Sequence, residues 1–545
     1  MSETQKKRRS GAVGMGILSC LLLAGALRIW GMNYGVPHPT VRPDEERVVG
    51  RAHDILATGD LNPIAYTYPG LMIYLNALVL AVYAWIGQLL GYYDGLFDFL
   101  FAVAVTRPGL HYLICRALTV ALGVGTVGAT FLLAREGYGS QTVGLVAAFC
   151  LATNYLHVRD SHFATVDVGT TFFVTMSLLY AVKASSRHRW RDYLLAGFFA
   201  GAAAAAKYNA GLVILGAGAA CISGLVQGRK QNIVMGKSSP LPRFLVAVAV
   251  MGIGFALLSP YSLVHFEAAV RELAGVRRIL NQGEERGLWV HLGVTFPAGF
   301  GWPLYLAAMV GIVRSAWLRR PTDLVLLAFV IPFFLLVADV RMVFPRYVLP
   351  LVPILSVLAA ELVVSFLPSG RRVAVAVATI VLIGPGFRKS AQFDRLLARQ
   401  DTRLLASEWV SENLPRRTAV LICPGYGAPA INADRRRPPA FQPQEIPCSL
   451  RAVLGAEADY LITHEHPVLR SSPPLPEDLA EFLEERAEVL ARFDPFPSDF
   501  QGNAYYYRAD AFYLPFSGLD SVERGGPKIT IWKLARDEGG PDEAG

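Results

Sequence analysis

The chain contains a long series of apolar windows, and these limit its possible folds more than any other feature. They run at residues 12–30, 111–134, 141–157, 166–182, 193–206, 209–226, 244–259, 299–313, 323–338, 347–366 and 373–387. A helix needs about 20 apolar residues to cross a bilayer, so the shorter windows must extend into their flanks. The windows predict an α-helical polytopic membrane protein.

Composition divides the chain into two domains. The chain is 53% hydrophobic and only 17% charged, which excludes an ordinary soluble enzyme. From Arg388 onward there are 19 Lys and Arg against 24 Asp and Glu, whereas the preceding part has 32 against 19. We therefore predict a membrane domain over residues 1–387 and a soluble domain over residues 388–545. The excess of Lys and Arg before residue 388 is explained by basic loops on one side of the membrane, so no nucleic-acid partner is expected.

The basic residues between windows predict the orientation. With eleven spans, Arg135, Arg187, Arg314 and Arg371 all fall on one side, which the positive-inside rule makes cytoplasmic. The N-terminus joins that side, and the first outer loop (31–68) and the C-terminal domain face the periplasm. Residues 69–106 are apolar but interrupted, and they could form a hairpin, which gives thirteen spans, or lie along the outer interface.

The tail has the pattern of an α/β domain. We predict helices near 404–413 and 476–492 and strands at 419–423, 460–463 and 529–534. Cys423 and Cys448 fall in this exported part, where a disulfide is permitted, but their spacing leaves open whether they are bonded. The His464-Glu465-His466 run could be a metal site or a surface turn.

An acidic cluster follows the first window. Asp44 and Glu45 come after Pro43, at the start of a predicted helix. Acids at a helix start satisfy free N–H groups, which explains Glu46. The carboxylates of Asp44 and Glu45, which lie at a membrane surface, could also act as a general base on a substrate that arrives by the membrane. Arg47 could be a salt-bridge partner or could bind a phosphate.

A second polar group lies between two windows. Arg159 and Asp167 belong to it, and we expect a role for Asp167 near the site, because an acid at the start of a span is costly unless it is paired. His157, Asp160 and His162 could bind a divalent metal, although no strict ligand spacing supports this. A solvated polar loop is the alternative for each member.

Three cations lie at the predicted outer ends of spans, namely Arg116, Lys207 and Arg346. Snorkelling to the interface explains such residues in general. Because all three emerge on the face that carries Asp44, they could also hold a lipid phosphate through charge-assisted hydrogen bonds.

The order of short motifs resembles that of a known superfamily. The motifs are Pro43-Asp44-Glu45 with Arg47, Tyr68-Pro69-Gly70-Leu71, Arg116, residues 159–167, Lys207, residues 344–350 and residues 401–415. This set resembles the GT-C superfamily of lipid-phosphate-sugar-dependent glycosyltransferases, and above all bacterial relatives of protein O-mannosyltransferase and the lipid A aminoarabinose transferase.

The resemblance implies roles for several residues. Asp44 would be the catalytic acid of the first outer loop, and Arg47 and Tyr347 would lie beside the lipid phosphate. The chain departs from the aminoarabinose transferase at Thr67-Tyr68-Pro69, where that enzyme has Glu-Lys-Pro. The Glu and Lys of that enzyme, which help to hold metal and phosphate, are missing in this chain. The resemblance therefore does not imply aminoarabinose as the donor, nor that enzyme's metal site. Tyr-Pro-Gly-Leu is more similar to the oligosaccharyltransferase catalytic subunit.

The sequence thus predicts an inverting glycosyltransferase of the inner membrane. It would move a sugar from a polyprenyl-phosphate donor to a hydroxyl of a glycolipid, polysaccharide or protein at the periplasmic face. A transporter or lipid flippase is the main alternative, and an assembly protein with an inactive membrane domain is another. The charges gather at one face rather than at mid-membrane, which favours the transferase.

Overall fold

The computed structural model describes residues 3–38, 40–230, 239–368, 371–431, 441–498 and 500–535. Most of these residues are helical, as the apolar windows predict. The first helices are α1 Glu3–Ile29, α2 Glu45–Thr58, α3 Leu71–Leu89, α4 Leu96–Phe101, α5 Leu110–Tyr138, α6 Gln141–Ala152, α7 Tyr155–Asp160, α8 Val166–Arg187, α9 Trp190–Ala206, α10 Ile214–Lys230 and α11 Leu241–Leu258. They are followed by α12 Tyr261–Val264, α13 Phe266–Leu280, α14 Gly287–Val290, α15 Phe296–Phe300, α16 Trp302–Leu318, α17 Pro321–Ala338, α18 Val352–Phe366, α19 Arg372–Leu397, α20 Thr402–Asn413, α21 Leu450–Leu454 and α22 Glu477–Arg486.

Short helices of other types join some of these. Ala102–Thr106 and His291–Thr295 are π-helical turns, and Tyr208–Val213, Pro345–Leu351 and Leu519–Ser521 are 3₁₀ helices. Two of the 3₁₀ helices directly precede α10 and α18. Both carry residues of the candidate site described below.

Nine helices in the described part of the chain are long and apolar enough to cross a membrane. Eight of them fill predicted windows, and the ninth is α3, which lies in the segment that the sequence left open. The remaining three windows hold the shorter helices α6, α9 and α16. The predicted class, a polytopic helical membrane protein, is confirmed.

The C-terminal part forms a five-stranded mixed sheet, as the predicted α/β domain requires. Its strands are β1 Thr418–Ile422, β2 Phe441–Glu445, β3 Tyr460–Glu465, β4 Ala487–Phe493 and β5 Lys528–Leu534. The order is β2-β1-β3-β5-β4, with β1 parallel to β2 and β3, and β5 antiparallel to β3 and β4. Apolar clusters on both faces of the sheet pack against α20 and α22.

One predicted helix of this domain is half wrong. The helix expected over 476–492 ends at Arg486, and the chain continues as β4, which pairs with β5 from Ala487↔Leu534 to Phe493↔Ile529. Residues 487–493 continue the charged pattern of the helix with Glu488 and Arg492. They also contain Val489, Leu490 and Phe493, which suit a strand. Pairing with a long neighbouring strand therefore overrides the local helical pattern.

Cys423 and Cys448 form a disulfide, which settles the pairing that the sequence left open. The bond joins the chain just after β1 to the chain just after β2. The other four cysteines, Cys20, Cys115, Cys150 and Cys221, are free and buried, as expected of small apolar residues.

The chain forms two compact units. The first unit comprises 1–32, 47–86 and 114–394, and the second comprises 33–46, 87–113 and 395–545. The boundary predicted at 387 falls inside α19, and part of the first outer loop belongs to the unit that contains the sheet.

Small residues allow close helix packing in the first unit. A Cβ at Gly197 of α9 would lie 2.2 Å from the backbone oxygen of Ala247 in α11, and one at Gly201 would lie 2.6 Å from that of Met251. Only glycine permits this approach. α9 is therefore fixed against its neighbour, and the residue that ends it, Lys207, is held in a defined place.

Candidate active site

Antiparallel helices bring three predicted site residues together in the first unit. Asp167 lies at the start of α8, and Lys207 follows the end of α9, which returns in the opposite direction. Arg346 lies in the 3₁₀ helix between α17 and α18. The start of α8, the end of α9 and this 3₁₀ helix lie on the same side, so residues that are far apart in sequence meet there.

Asp167 lies between the two cations. Its Oδ1 accepts a hydrogen bond of 2.7 Å from Lys207 Nζ, and its Oδ2 lies 3.8 Å from Arg346 Nε. The side chains of Asp167 and Arg346 are almost fully buried, and that of Lys207 is 17% exposed. One carboxylate faces two cations, so this cluster, Asp167–Lys207–Arg346, has a formal charge of +1 and suits an anion.

Aromatic rings complete the cluster. Lys207 Nζ lies 4.7 Å from the centroid of the Tyr347 ring, and the Arg346 guanidinium lies 4.5 Å from that of Phe344. Such cation–π contacts hold a cation in place without neutralising it. The rings therefore help to place the two cations.

A cavity of about 260 Å³ opens beside Lys207 and Tyr347. It is also lined by the polar residues Thr67, Tyr68, Tyr208, Asn209 and Arg277 and by the apolar residues Leu273, Val276, Leu280, Leu336, Val337 and Val340. The lining thus combines cationic, polar and apolar side chains, as the binding of an amphipathic ligand requires.

Several residues in or next to this cavity were not identified from the sequence. Glu272 of α13 accepts hydrogen bonds from the Tyr66 backbone N–H (2.8 Å) and the Thr67 hydroxyl (3.0 Å), and so holds the two residues that precede the Tyr-Pro-Gly-Leu segment. The Tyr208 hydroxyl donates to the Tyr66 carbonyl at 3.0 Å. Arg277 lines the cavity and is ion-paired with Asp339 at 2.6 Å. The amphipathic pattern of residues 266–280 was the signal that could have found α13.

Arg116 and Arg159 have other close partners. Arg116 donates to the Met32 carbonyl at 2.8 Å and lies 5.1 Å above the Phe163 ring. Arg159 pairs with Asp160 at 3.2 Å. All these polar side chains are buried, so the polar group at 157–167 is a packed segment around α7 rather than a solvated loop.

The structure corrects the expectation of a divalent metal on His157, Asp160 and His162. His157 Nδ1 lies 2.9 Å from the Arg28 guanidinium, a position that a cation would not share. The two ring nitrogens of His162 lie 2.9 and 3.0 Å from the carbonyl oxygens of Val158 and Trp30. No group of three or more His, Cys, Asp or Glu side chains among the described residues is arranged to hold a metal ion.

The His464-Glu465-His466 run is neither a surface turn nor a metal site. It ends β3, and both histidines are buried. His464 Nδ1 lies 2.6 Å from Ser472 Oγ, and His466 Nδ1 accepts from the backbone N–H groups of Val468 and Leu469. Burial lowers the pKa of both imidazoles, to about 3 for His466.

The acidic motif lies at the start of α2. Asp44 immediately precedes the helix and has a left-handed backbone, with φ of 73°. Glu45 begins the helix and is buried, and Arg47 is exposed in its first turn. Asp44 and Glu45 belong to the second compact unit, whereas Arg47 and the Asp167–Lys207–Arg346 cluster belong to the first.

Comparisons with solved structures define the class of fold. The chain is similar to the Archaeoglobus fulgidus oligosaccharyltransferase in the apo form, with a TM-score of 0.53, 13% identity and coverage of 96% of this chain and 88% of that one. It is also similar to ArnT from Cupriavidus metallidurans bound to undecaprenyl phosphate, with a TM-score of 0.50, 13% identity and coverage of 98% and 100%. These likenesses show that the chain shares the fold of these two proteins.

Sequence comparison places part of the chain more narrowly. Residues 68–270, less than half of the chain, match the family described as dolichyl-phosphate-mannose-protein mannosyltransferase, and the predicted resemblance is confirmed. The matched range contains Asp167 and Lys207. An uncharacterized protein of Aquifex aeolicus (strain VF5) is 27% identical over 261 residues, which are 46% of this chain and 49% of that relative. The match thus spans about half the length of the relative.

Proposed function

We propose that the protein transfers a sugar, with inversion, from a polyprenyl-phosphate donor to an acceptor hydroxyl at the periplasmic face of the inner membrane. The observation that carries the proposal is the Asp167–Lys207–Arg346 cluster beside an apolar-walled cavity. ArnT, which shares the fold, was solved with undecaprenyl phosphate, a ligand of this chemical class.

In this mechanism the cations act on the leaving group. The acceptor oxygen attacks the anomeric carbon from the side opposite the phosphate, and the bond from that carbon to the phosphate oxygen breaks with its electron pair. Negative charge then grows on the lipid phosphate, where Lys207 and Arg346 stabilise it. Asp167 holds both cations in position.

Asp44 is the proposed general base, and it takes the proton of the acceptor hydroxyl. Glu45, the next residue, is the second catalytic candidate beside Asp44. Further candidates for donor binding are Arg47, Arg116, Arg159 and Tyr347. Base catalysis contributes about 10²–10⁴-fold to a rate. Asp44→Asn is therefore expected to keep donor binding and to lose nearly all turnover.

No group of three or more His, Cys, Asp or Glu side chains among the described residues is arranged to hold a metal ion, and the proposed mechanism assigns no step to one. The Archaeoglobus fulgidus oligosaccharyltransferase was also solved in complex with Zn and sulfate. For that reason the assay of this protein includes a chelator arm.

Orientation is part of the proposal. The disulfide between Cys423 and Cys448 supports an oxidising compartment for the C-terminal domain. The basic residues between spans support a cytoplasmic N-terminus. Accessibility of introduced cysteines to a membrane-impermeant thiol reagent in intact cells tests both.

The deciding experiment uses the purified full-length protein in detergent or nanodiscs. It is incubated with a panel of polyprenyl-phosphate sugars, and released polyprenyl phosphate is measured. Release that depends on Asp44 supports the transferase. No release from any donor of a broad panel would favour a transporter or an assembly protein.

A further inference from the structure

The first part of the outer loop, residues 33–46, lies in the same compact unit as the C-terminal domain. Residues 33–46, which carry the acidic motif, form that unit together with 87–113 and 395–545. Four side chains of the loop contact residues of the C-terminal domain, namely Tyr34, His38, Arg42 and Glu46. They are spread from Tyr34 to Glu46, so this part of the loop is held at both ends.

The beginning of the loop is fixed by a buried ion pair. Tyr34 donates a hydrogen bond of 2.5 Å to Asp401 Oδ2. Both oxygens of Asp401 also accept hydrogen bonds of 2.8 Å from the guanidinium of Arg403. Bidentate pairs of this kind have a defined geometry, so Tyr34 is bound to a rigid point. His38 Nε2 lies 2.9 Å from the Ala428 carbonyl.

Two further contacts flank Asp44. Arg42, which is 1% exposed, lies 3.4 Å from Asp510 and 4.6 Å from the centroid of the Phe512 ring. Glu46 accepts a hydrogen bond of 3.1 Å from the Tyr426 hydroxyl. The residues two before and two after Asp44 are thus each held by the C-terminal domain.

Asp44 itself has a backbone conformation that needs support. A left-handed φ is uncommon for residues other than glycine, although aspartate tolerates it better than most. Such conformations persist where the surrounding structure determines them, and they are concentrated at active sites. The contacts of Arg42 and Glu46 on either side supply this constraint.

We infer that the C-terminal domain positions the Asp44 carboxylate through Arg42 and Tyr426, which act as positioning residues. The inference rests on the proposed role of Asp44 as general base. It gives the C-terminal domain a part in catalysis without any contact of its own with the reacting atoms. A base placed even 1 Å from its productive position can lose about 10²-fold in rate.

The test measures turnover and donor binding separately. Tyr426→Phe keeps the ring and removes only the hydroxyl that holds Glu46. We expect kcat to fall about 5- to 50-fold, with the Kd for undecaprenyl phosphate unchanged. Tyr506→Phe is the matched control, because Tyr506 is a buried tyrosine of the same domain whose ring packs 4.5 Å from His466. It should retain wild-type kcat.

A second variant tests the other side of Asp44 without leaving a buried charge unpaired. Arg42→Gln combined with Asp510→Asn removes both charges of the pair. This double variant should also lower kcat and leave the Kd for undecaprenyl phosphate unchanged. Arg42→Lys, which restores the positive charge, should recover part of the rate. In the Asp44→Asn background, Tyr426→Phe should cause no further fall in the residual rate, because it acts through Asp44.

The outcomes separate the two proposals. If Asp44→Asn is inactive while Tyr426→Phe and the Arg42→Gln/Asp510→Asn pair both turn over like wild type, the positioning role is overturned and the transferase stands. If Asp44→Asn keeps substantial transfer, Asp44 is not the base, and the positioning role falls with it. If the Tyr426→Phe loss persists in full in the Asp44→Asn background, Tyr426 acts elsewhere and the inference is wrong.

Discussion

Asp167 and Lys207 meet at 2.7 Å although forty residues separate them in the chain. Their contact joins the start of α8 to the end of α9 and leaves the lysine beside a cavity with an apolar wall. Arg346 approaches the other oxygen of the same carboxylate. A buried carboxylate that orients two cations is the central relationship of the candidate site.

Lys207 should determine donor affinity. A hydrogen bond to a charged group is worth about 1.5–3 kcal/mol, which corresponds to roughly 10- to 100-fold in affinity. We expect Lys207→Gln to weaken binding of undecaprenyl phosphate by that factor. Lys183→Gln is the control, because Lys183 lies 4.7 Å from the Tyr180 ring, the same distance at which Lys207 lies from Tyr347. Equal losses in both variants would contradict a specific phosphate site.

Asp167 should matter for turnover more than for affinity. Asp167→Asn removes the charge that holds Lys207 and Arg346, so the cations remain attractive to an anion but lose their placement. We expect turnover to fall by at least about 10-fold, while the Kd for undecaprenyl phosphate stays within a few-fold of wild type. Asp323→Asn is the comparison, since Asp323 is a buried acid paired with Arg320 at 2.6 Å. Its effect should be on thermal stability alone; weaker donor binding with normal turnover in Asp167→Asn would refute the assignment.

Acid should destabilise the unit that contains the sheet. Burial, together with the nearby Arg403 guanidinium, lowers the pKa of His38 from 6.5 to about 4. Below about pH 6.5 the His38 imidazole therefore binds a proton in the unfolded state while it is still neutral in the folded state. The stability from neutral His38 is complete above that pH and is lost as the pH falls towards 4, by at most about 3 kcal/mol.

The measurement is the unfolding temperature between pH 7.5 and 4.5. His38→Gln keeps a donor for the Ala428 carbonyl but cannot titrate, so its stability should depend less steeply on pH. His464 and His466, whose pKa values are also lowered, leave part of the slope in place. His265→Gln, at an exposed position, serves as the control. An unchanged slope in His38→Gln would show that the loop is not anchored through this ring.

The disulfide should be a main source of stability for the C-terminal domain. It closes a loop with a sequence separation of 25 residues. Loop closure of this length contributes about 3 kcal/mol, so Cys423→Ser with Cys448→Ser should lower the Tm by roughly 6–12 °C. Cys221→Ala changes a free buried cysteine and controls for general effects. Mass spectrometry under non-reducing conditions checks the bond, and a reduced pair in protein from intact cells would contradict an oxidising location.

Chelation should leave donor binding intact. The positive charge of the candidate site comes from Lys207 and Arg346, and the described residues include no three-ligand metal group. We expect EDTA to change the Kd for undecaprenyl phosphate by less than about twofold, given that a lost charged contact costs at least about tenfold. A large loss that is restored by added Zn²⁺ or Mg²⁺ would show that a metal takes part.

Much of the membrane domain could be predicted from local patterns. The windows located eleven helices, because apolar length reports directly on a span. The parity of the spans put Asp167, Lys207 and Arg346 on one face, and the structure brings these three together. Residues 487–493 were misassigned because pairing with β5, a non-local contact, determines their structure.

The sequence by itself determined that this is a polytopic membrane protein with a soluble α/β tail, because hydrophobicity and charge are properties of local segments. It also identified Asp44, Asp167, Lys207 and Arg346 as candidate site residues. Only the tertiary structure decided that Glu272 holds Thr67 and that Arg277 lines the cavity. It also decided that the histidines at 157 and 162 are packing residues, and that Arg42 and Glu46 are held by the C-terminal domain. Each of these depends on contacts between residues far apart in the chain, and such contacts form only when the helices and the sheet have packed.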